Sequence, residues 1–226
     1  MNCWICGANA DTGEHRVKAS DLRAIFRSVS QNRPLFLHTE QKRNQLVKGI
    51  KAGILKSRAR LCATCNNQRT QPHDRAWERL SCYLRSRGRP LRVGDRIHLH
   101  KVFPGSVRKS MLSVHLYFVK RLGCEIAEHN VPINLGSFSG AILQEGPHPN
   151  VYLAICPQIE KNARGAGGSD ITAVKVGERI VYAVWFYILD KFTVRVIYAE
   201  FGERRRGLVN AWHPSKISKC LQIGAN

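Results

Sequence analysis

Two Cys-x-x-Cys knuckles, Cys3-Trp4-Ile5-Cys6 and Cys62-Ala63-Thr64-Cys65, constrain this chain most. Four thiolates from two such knuckles make a tetrahedral, closed structural zinc site. A closed site leaves no open position for chemistry, so the zinc is a staple. One ion held by Cys3, Cys6, Cys62 and Cys65 closes a long loop. It brings the start of the chain against the segment after Cys65. Chemistry is then left to what the staple gathers: Glu14-His15 after the first knuckle and Asn66-Asn67 after the second.

The remaining cysteines, Cys82, Cys124, Cys156 and Cys220, stand alone and read as small buried hydrophobes. The chain opens Met1-Asn2-Cys3-Trp4, with no basic-then-apolar leader. Eight cysteines without a secretory signal point to metal or buried thiols rather than disulfides, and to a cytoplasmic protein. No apolar run is long enough to span a bilayer, which excludes helical membrane classes.

Net charge is +20, from 36 Lys and Arg against 16 Asp and Glu. Residues 1–91 hold 18 basic and 6 acidic residues, and residues 92–226 hold 18 and 10. Such a field attracts polyanions, and nucleic acid is the expected partner. A membrane surface is not, because no long basic amphipathic helix is present.

The first half reads as short pieces. Glu14 to Val17 and Pro34 to His38 suit strands, and Leu22, Ile25, Phe26 and Val29 mark a helix capped by Ser20. Gln41 to Lys56 has no clear period. Ala76, Trp77, Leu80, Tyr83 and Leu84 form the stripe of a helix starting near Thr70, with Pro72 in its first turn. Trp77 reads as core. Arg85 to Pro90 looks like a linker, which gives two units, 1–88 and 92–226. In the second, Ser110 to Ala127 predicts a helix. Ile97–Val102 and Val151–Cys156 predict strands, and Ile180–Leu189 with Phe192–Phe201 a hairpin. Gly165 to Gly168 predicts a mobile loop. The fold class expected is α+β.

The first unit resembles the HNH endonucleases of the ββα-metal (His-Me finger) superfamily. The matching residues are Cys3-x-x-Cys6, Glu14-His15 and Cys62-x-x-Cys65-Asn66, followed by Arg69 and a helix, over roughly residues 1–85. The resemblance implies a zinc-stapled ββα-metal nuclease domain ahead of a small α+β accessory domain. It implies that His15 is the general base for water attack on a phosphodiester. It implies that Glu14 and Asn66 hold a catalytic Mg²⁺ or Mn²⁺, separate from the zinc, with Asn67 or His73 as alternatives to Asn66. DNA is the first substrate to expect. The family's middle asparagine has no counterpart, with Ser57 or Arg58 in that neighbourhood. The spacer from His15 to Cys62 is long and includes a helix.

Two other readings use the same residues. A non-catalytic zinc-finger protein that binds DNA or RNA makes Glu14-His15 incidental. A structural subunit of a nucleic-acid assembly makes residues 92–226 a docking surface.

Overall fold

The computed structural model describes residues 2–39, 41–158, 165–216 and 218–225. The fold is mixed α+β and built around one long helix. Strand β1 (Thr12–His15) pairs antiparallel with β4 (Lys56–Leu61). Between them the chain runs through helix α1 (Ala19–Phe26) and a small ribbon. That ribbon pairs β2 (Leu35–Leu37) with β3 (Gln45–Val47). The unpatterned stretch after Gln41 is therefore half of a hairpin. A π-helical turn, Thr64–Arg69, begins inside the second knuckle and leads to α2 (Gln71–Arg85) with its proline in the first turn, as expected.

Helix α1 starts at Ala19 with Lys18 at its cap position, and the Ser20 hydroxyl is buried without a partner. Asp21 is not a simple first-turn charge. It is fully buried and accepts from Trp77 Nε1 (2.8 Å), Ser81 Oγ (3.1 Å), Arg85 Nη1 (2.7 Å) and Tyr187 Oη (3.0 Å). Four donors make burial of this carboxylate tolerable.

Past Arg85, β5 (Arg96–His98) covers only the first half of the predicted strand. A short helix, α3 (Leu99–Val102), takes the rest. Next come α4 (Val107–His129) and α5 (Leu135–Leu143). The main sheet contains β6 (Val151–Pro157), β7 (Ala166–Gly168), β8 (Thr172–Val176), β9 (Arg179–Leu189) and β10 (Phe192–Ala199). Its order is β6-β10-β9-β7, with β8 also on β9. The predicted hairpin is present, turning at Asp190-Lys191 with Leu189 opposite Phe192. The glycine stretch 165–168, predicted as a loop, forms edge strand β7. Gly168 packs closely there, since a Cβ would stand 3.1 Å from the Trp185 ring. Strand β11 (Cys220–Gln222) closes on β5.

Helix α4 contains the predicted stretch from Ser110 to Ala127, and its residues Val114 to Ile126 include buried charges: Lys120, Arg121 and Glu125. It lies between the first half and the sheet, so each face needs partners. One buried hydrophobic cluster runs from Cys3 to Ile223 and takes in both stretches that the sequence separates at Arg85–Pro90. Trp77 sits at its centre. It stacks on Tyr117 at 5.6 Å and meets Phe118, Tyr187 and Phe192 edge-on. Cys124 and Cys156 are buried as expected, whereas Cys82 is exposed and Cys220 is half-buried beside His98. No helix among the described residues is long and apolar enough to cross a membrane.

Candidate functional site

The four knuckle cysteines converge. Their Sγ atoms all lie within 4.8 Å of one another, and Cys6 Sγ is 3.5 Å from Cys62 Sγ. Four sulfurs about 2.3 Å from a tetrahedral zinc are about 3.8 Å apart, so the donor set fits that ion. Cys3, Cys62 and Cys65 are buried and Cys6 is exposed. Arg69 Nη1 donates to Cys65 Sγ at 3.0 Å, offsetting thiolate charge. The Cys65 N–H points at Cys62 Sγ (3.4 Å), as backbone donors do around a knuckle. Burial and the neighbouring thiols push the Cys65 thiol well up, which an ion would reverse.

The clamp sets Asn66 beside β1. Asn66 Nδ2 donates to Thr12 Oγ1 at 3.1 Å, and Thr12 Oγ1 donates to the Leu61 carbonyl at 2.8 Å. This uses the amide's donor side, so Oδ1 remains an acceptor. Asp11 Oδ1 accepts from the Ala63 N–H at 2.9 Å and ties the same strand to the second knuckle. Thr70 Oγ1 lies 2.9 and 3.1 Å from the Cys65 and Asn66 carbonyls, which the π-helical turn leaves without ordinary helical partners.

An open groove of about 830 Å³ runs along this junction. His15, Asn66 and Asn67 line it, together with Asp11, Lys56 and Arg58. His15 Nε2 is 3.2 Å from the Ile50 carbonyl. A carbonyl only accepts, so Nε2 carries the proton and Nδ1 is the ring's acceptor in the neutral form. Burial lowers the His15 pKa from its ordinary value, outweighing the Ile50 carbonyl and the Glu14 charge that raise it. The ring is therefore neutral at pH 7.

The structure turns Glu14 away from this groove, whereas His15 lines it. Successive strand residues face opposite sides. With His15 on the groove side, Glu14 points inward and is buried. Lys120 Nζ donates to Glu14 Oε2 (3.3 Å), Thr70 Oγ1 (3.2 Å) and Asp74 Oδ1 (3.2 Å). The ammonium is thus the partner that Glu14 has in the core. Burial pushes the Glu14 carboxyl up, but Lys120 and Arg121 outweigh it and hold the pKa low.

His73 is also placed elsewhere. It is buried on α2 with neither ring nitrogen partnered, and burial beside Lys120 lowers its pKa to about 4. The hydrogen-bonding residues that the sequence reading missed are Asp11 and Thr12, and the cations are Lys56 and Arg58. Strand β4 did carry a signal. In Lys56-Ser57-Arg58-Ala59, exposed cations alternate with buried small residues at the strand period.

No protein-family model, curated protein or solved structure matches this chain. The likeness to HNH nucleases rests on the quoted sequence motif alone.

Proposed function

We propose that this chain is a metal-dependent HNH-type endonuclease that hydrolyses phosphodiester bonds of nucleic acid, with DNA the first substrate to test. The observation that carries the reading is the His15–Ile50 hydrogen bond at the edge of a groove shared with Asn66. It gives a neutral imidazole one committed donor and one free acceptor, which is what a general base needs. The Ile50 carbonyl does the orienting that the family's middle asparagine would support.

The proposed step is an in-line displacement. His15 Nδ1 takes a proton from water as the water oxygen bonds to phosphorus. The bond from phosphorus to the departing sugar oxygen breaks, and that oxygen leaves with a proton from solvent. Lys56 and Arg58 hold phosphate oxygens without reading bases. The oxygens available to a hard cation are Asn66 Oδ1 and the Asp11 carboxylate, a donor set that suits magnesium shared with substrate phosphates. When bound, such an ion stabilises negative charge on the phosphate.

The burial of Glu14 under Lys120 favours a second reading, a zinc-stapled nucleic-acid binder without cleavage. One experiment separates the two. Supercoiled plasmid is incubated with the purified protein in Mg²⁺ or Mn²⁺, in chelator, and beside His15→Ala. The nuclease reading expects nicking that needs the cation and is lost in His15→Ala, with binding retained. Equal nicking by both proteins overturns it, and binding without nicking by either supports the second reading.

A further inference from the structure

The insertion between β1 and β4 carries a surface that the groove does not explain. Ribbon strands β2 and β3 pair Phe36 opposite Leu46. Cross-strand partners share a face, so these two side chains stand together. Phe36 is 57 % exposed and Leu46 50 %. On the opposite face, Val47 joins the core and Leu35 and Leu37 pack against it. The ribbon is thus seated by one face and shows an apolar pair on the other. The segment that carries the pair is basic. Residues 27–51 contain six Lys and Arg and one acidic residue, Glu40. Arg33, Lys42, Arg43 and Lys48 are exposed, and among the described residues none of them forms an ion pair. The same segment reaches the proposed base. Shortly after Val47 comes Ile50, whose carbonyl holds His15, and then Gly53, which lines the groove.

An exposed apolar pair on a basic segment, whose exposed cations form no ion pair among the described residues, fits a nucleic acid. Phosphates take the cations, and base faces take the apolar side chains. A second copy of this chain would bring the same charge and be repelled. We propose that this ribbon grips nucleic acid beside the groove, with Phe36 and Leu46 pressed against base faces at an opened step. It rests on the reading that the chain acts on nucleic acid, though not on cleavage itself.

The test uses the full zinc-loaded chain with His15→Ala, so that substrate is not consumed. Fluorescence anisotropy measures binding to a short duplex, and a 2-aminopurine in the duplex reports unstacking. Adding Phe36→Ser and Leu46→Ser is expected to weaken binding about tenfold or more, the scale of one lost base–aromatic contact. It should also abolish the 2-aminopurine rise, with zinc content and thermal midpoint unchanged. Substituting Lys42 and Arg43 by Ala should instead flatten the salt dependence. Unchanged affinity with Phe36→Ser and Leu46→Ser overturns the proposal, even if the His15-intact protein cuts DNA. A dimer that these substitutions dissociate without loss of affinity also overturns it. If affinity falls as expected but plasmid is never nicked, the ribbon stands and the nuclease reading fails.

Discussion

Lys120 Nζ lies 3.3 Å from Glu14 Oε2 at the buried meeting point of β1, α2 and α4. The ammonium is fully buried and also holds Asp74 and Thr70. Glu14 is therefore a structural counter-charge, and Glu14→Gln tests this. Breaking a buried ion pair from one side costs about 3–5 kcal/mol, and the remaining Asp74 places the expected loss at the low end. Urea unfolding should show that loss, while folded Glu14→Gln keeps the metal dependence of any cleavage. Unchanged stability with lost metal dependence would restore Glu14 as a cation ligand.

The clamp makes its own prediction. One zinc per chain is expected by elemental analysis. Strong chelation or Cys62→Ser should remove it and lower the thermal midpoint, because metal binding here is coupled to folding. Affinity should fall with acid, since thiols must lose protons to bind. A full-strength midpoint in metal-free protein would refute the staple.

Some of this was readable in advance because it depends on local chemistry. Paired knuckles state a shared ion whatever the fold. Pro72 and the stripe from Ala76 to Leu84 fix α2, and β-branched runs fix the β9–β10 hairpin. What stayed hidden depends on tertiary partners. Glu14 next to His15 looks like one site until strand alternation sends them to opposite sides. Lys120, Arg121 and Glu125 look like a solvent face of α4, although all three have buried partners: Arg121 donates to the Arg16 carbonyl and to Glu125. The Ile50 carbonyl has no sequence signature.

The pH dependence of cleavage follows from His15. A general base works when unprotonated, and burial holds this ring's pKa below 6.5. Single-turnover cleavage should fall in acid with its midpoint below pH 6.5. A midpoint above 6.5 would mean that another group takes the proton.

Folding stability should also be lost in acid, through a different set of histidines. His148 donates its backbone N–H to His115 Nε2 (3.1 Å), and its carbonyl lies 2.9 Å from His213 Nε2. Burial, with His213 nearby, lowers the His148 pKa to about 4, and the other two are lowered as well. Unfolded histidines titrate near 6.5, so the unfolded state binds more protons between pH 6.5 and 4. This stability is complete above pH 6.5 and is lost as pH falls towards 4. The shift at His148 alone corresponds to about 3 kcal/mol. Urea midpoints should drop between pH 7 and 5, and His148→Gln should flatten the drop. Equal stability at the two pH values would rule out a neutral cluster.

Trp4, inside the first knuckle, ties the clamp to α4 at Gly123. A Cβ at Gly123 would stand 2.5 Å from Trp4 Cη2 and 2.7 Å from Cζ2, closer than carbon atoms approach. Helix propensity alone favours Ala over Gly by about 1 kcal/mol. Overpacking at a rigid indole costs about 1–3 kcal/mol. The contact should win, so Gly123→Ala is expected to lower stability and weaken zinc retention together. Adding Trp4→Leu should return part of the loss by opening the space. Stabilisation by Gly123→Ala alone would show that the knuckle yields freely, and that α4 does not hold the zinc clamp in place.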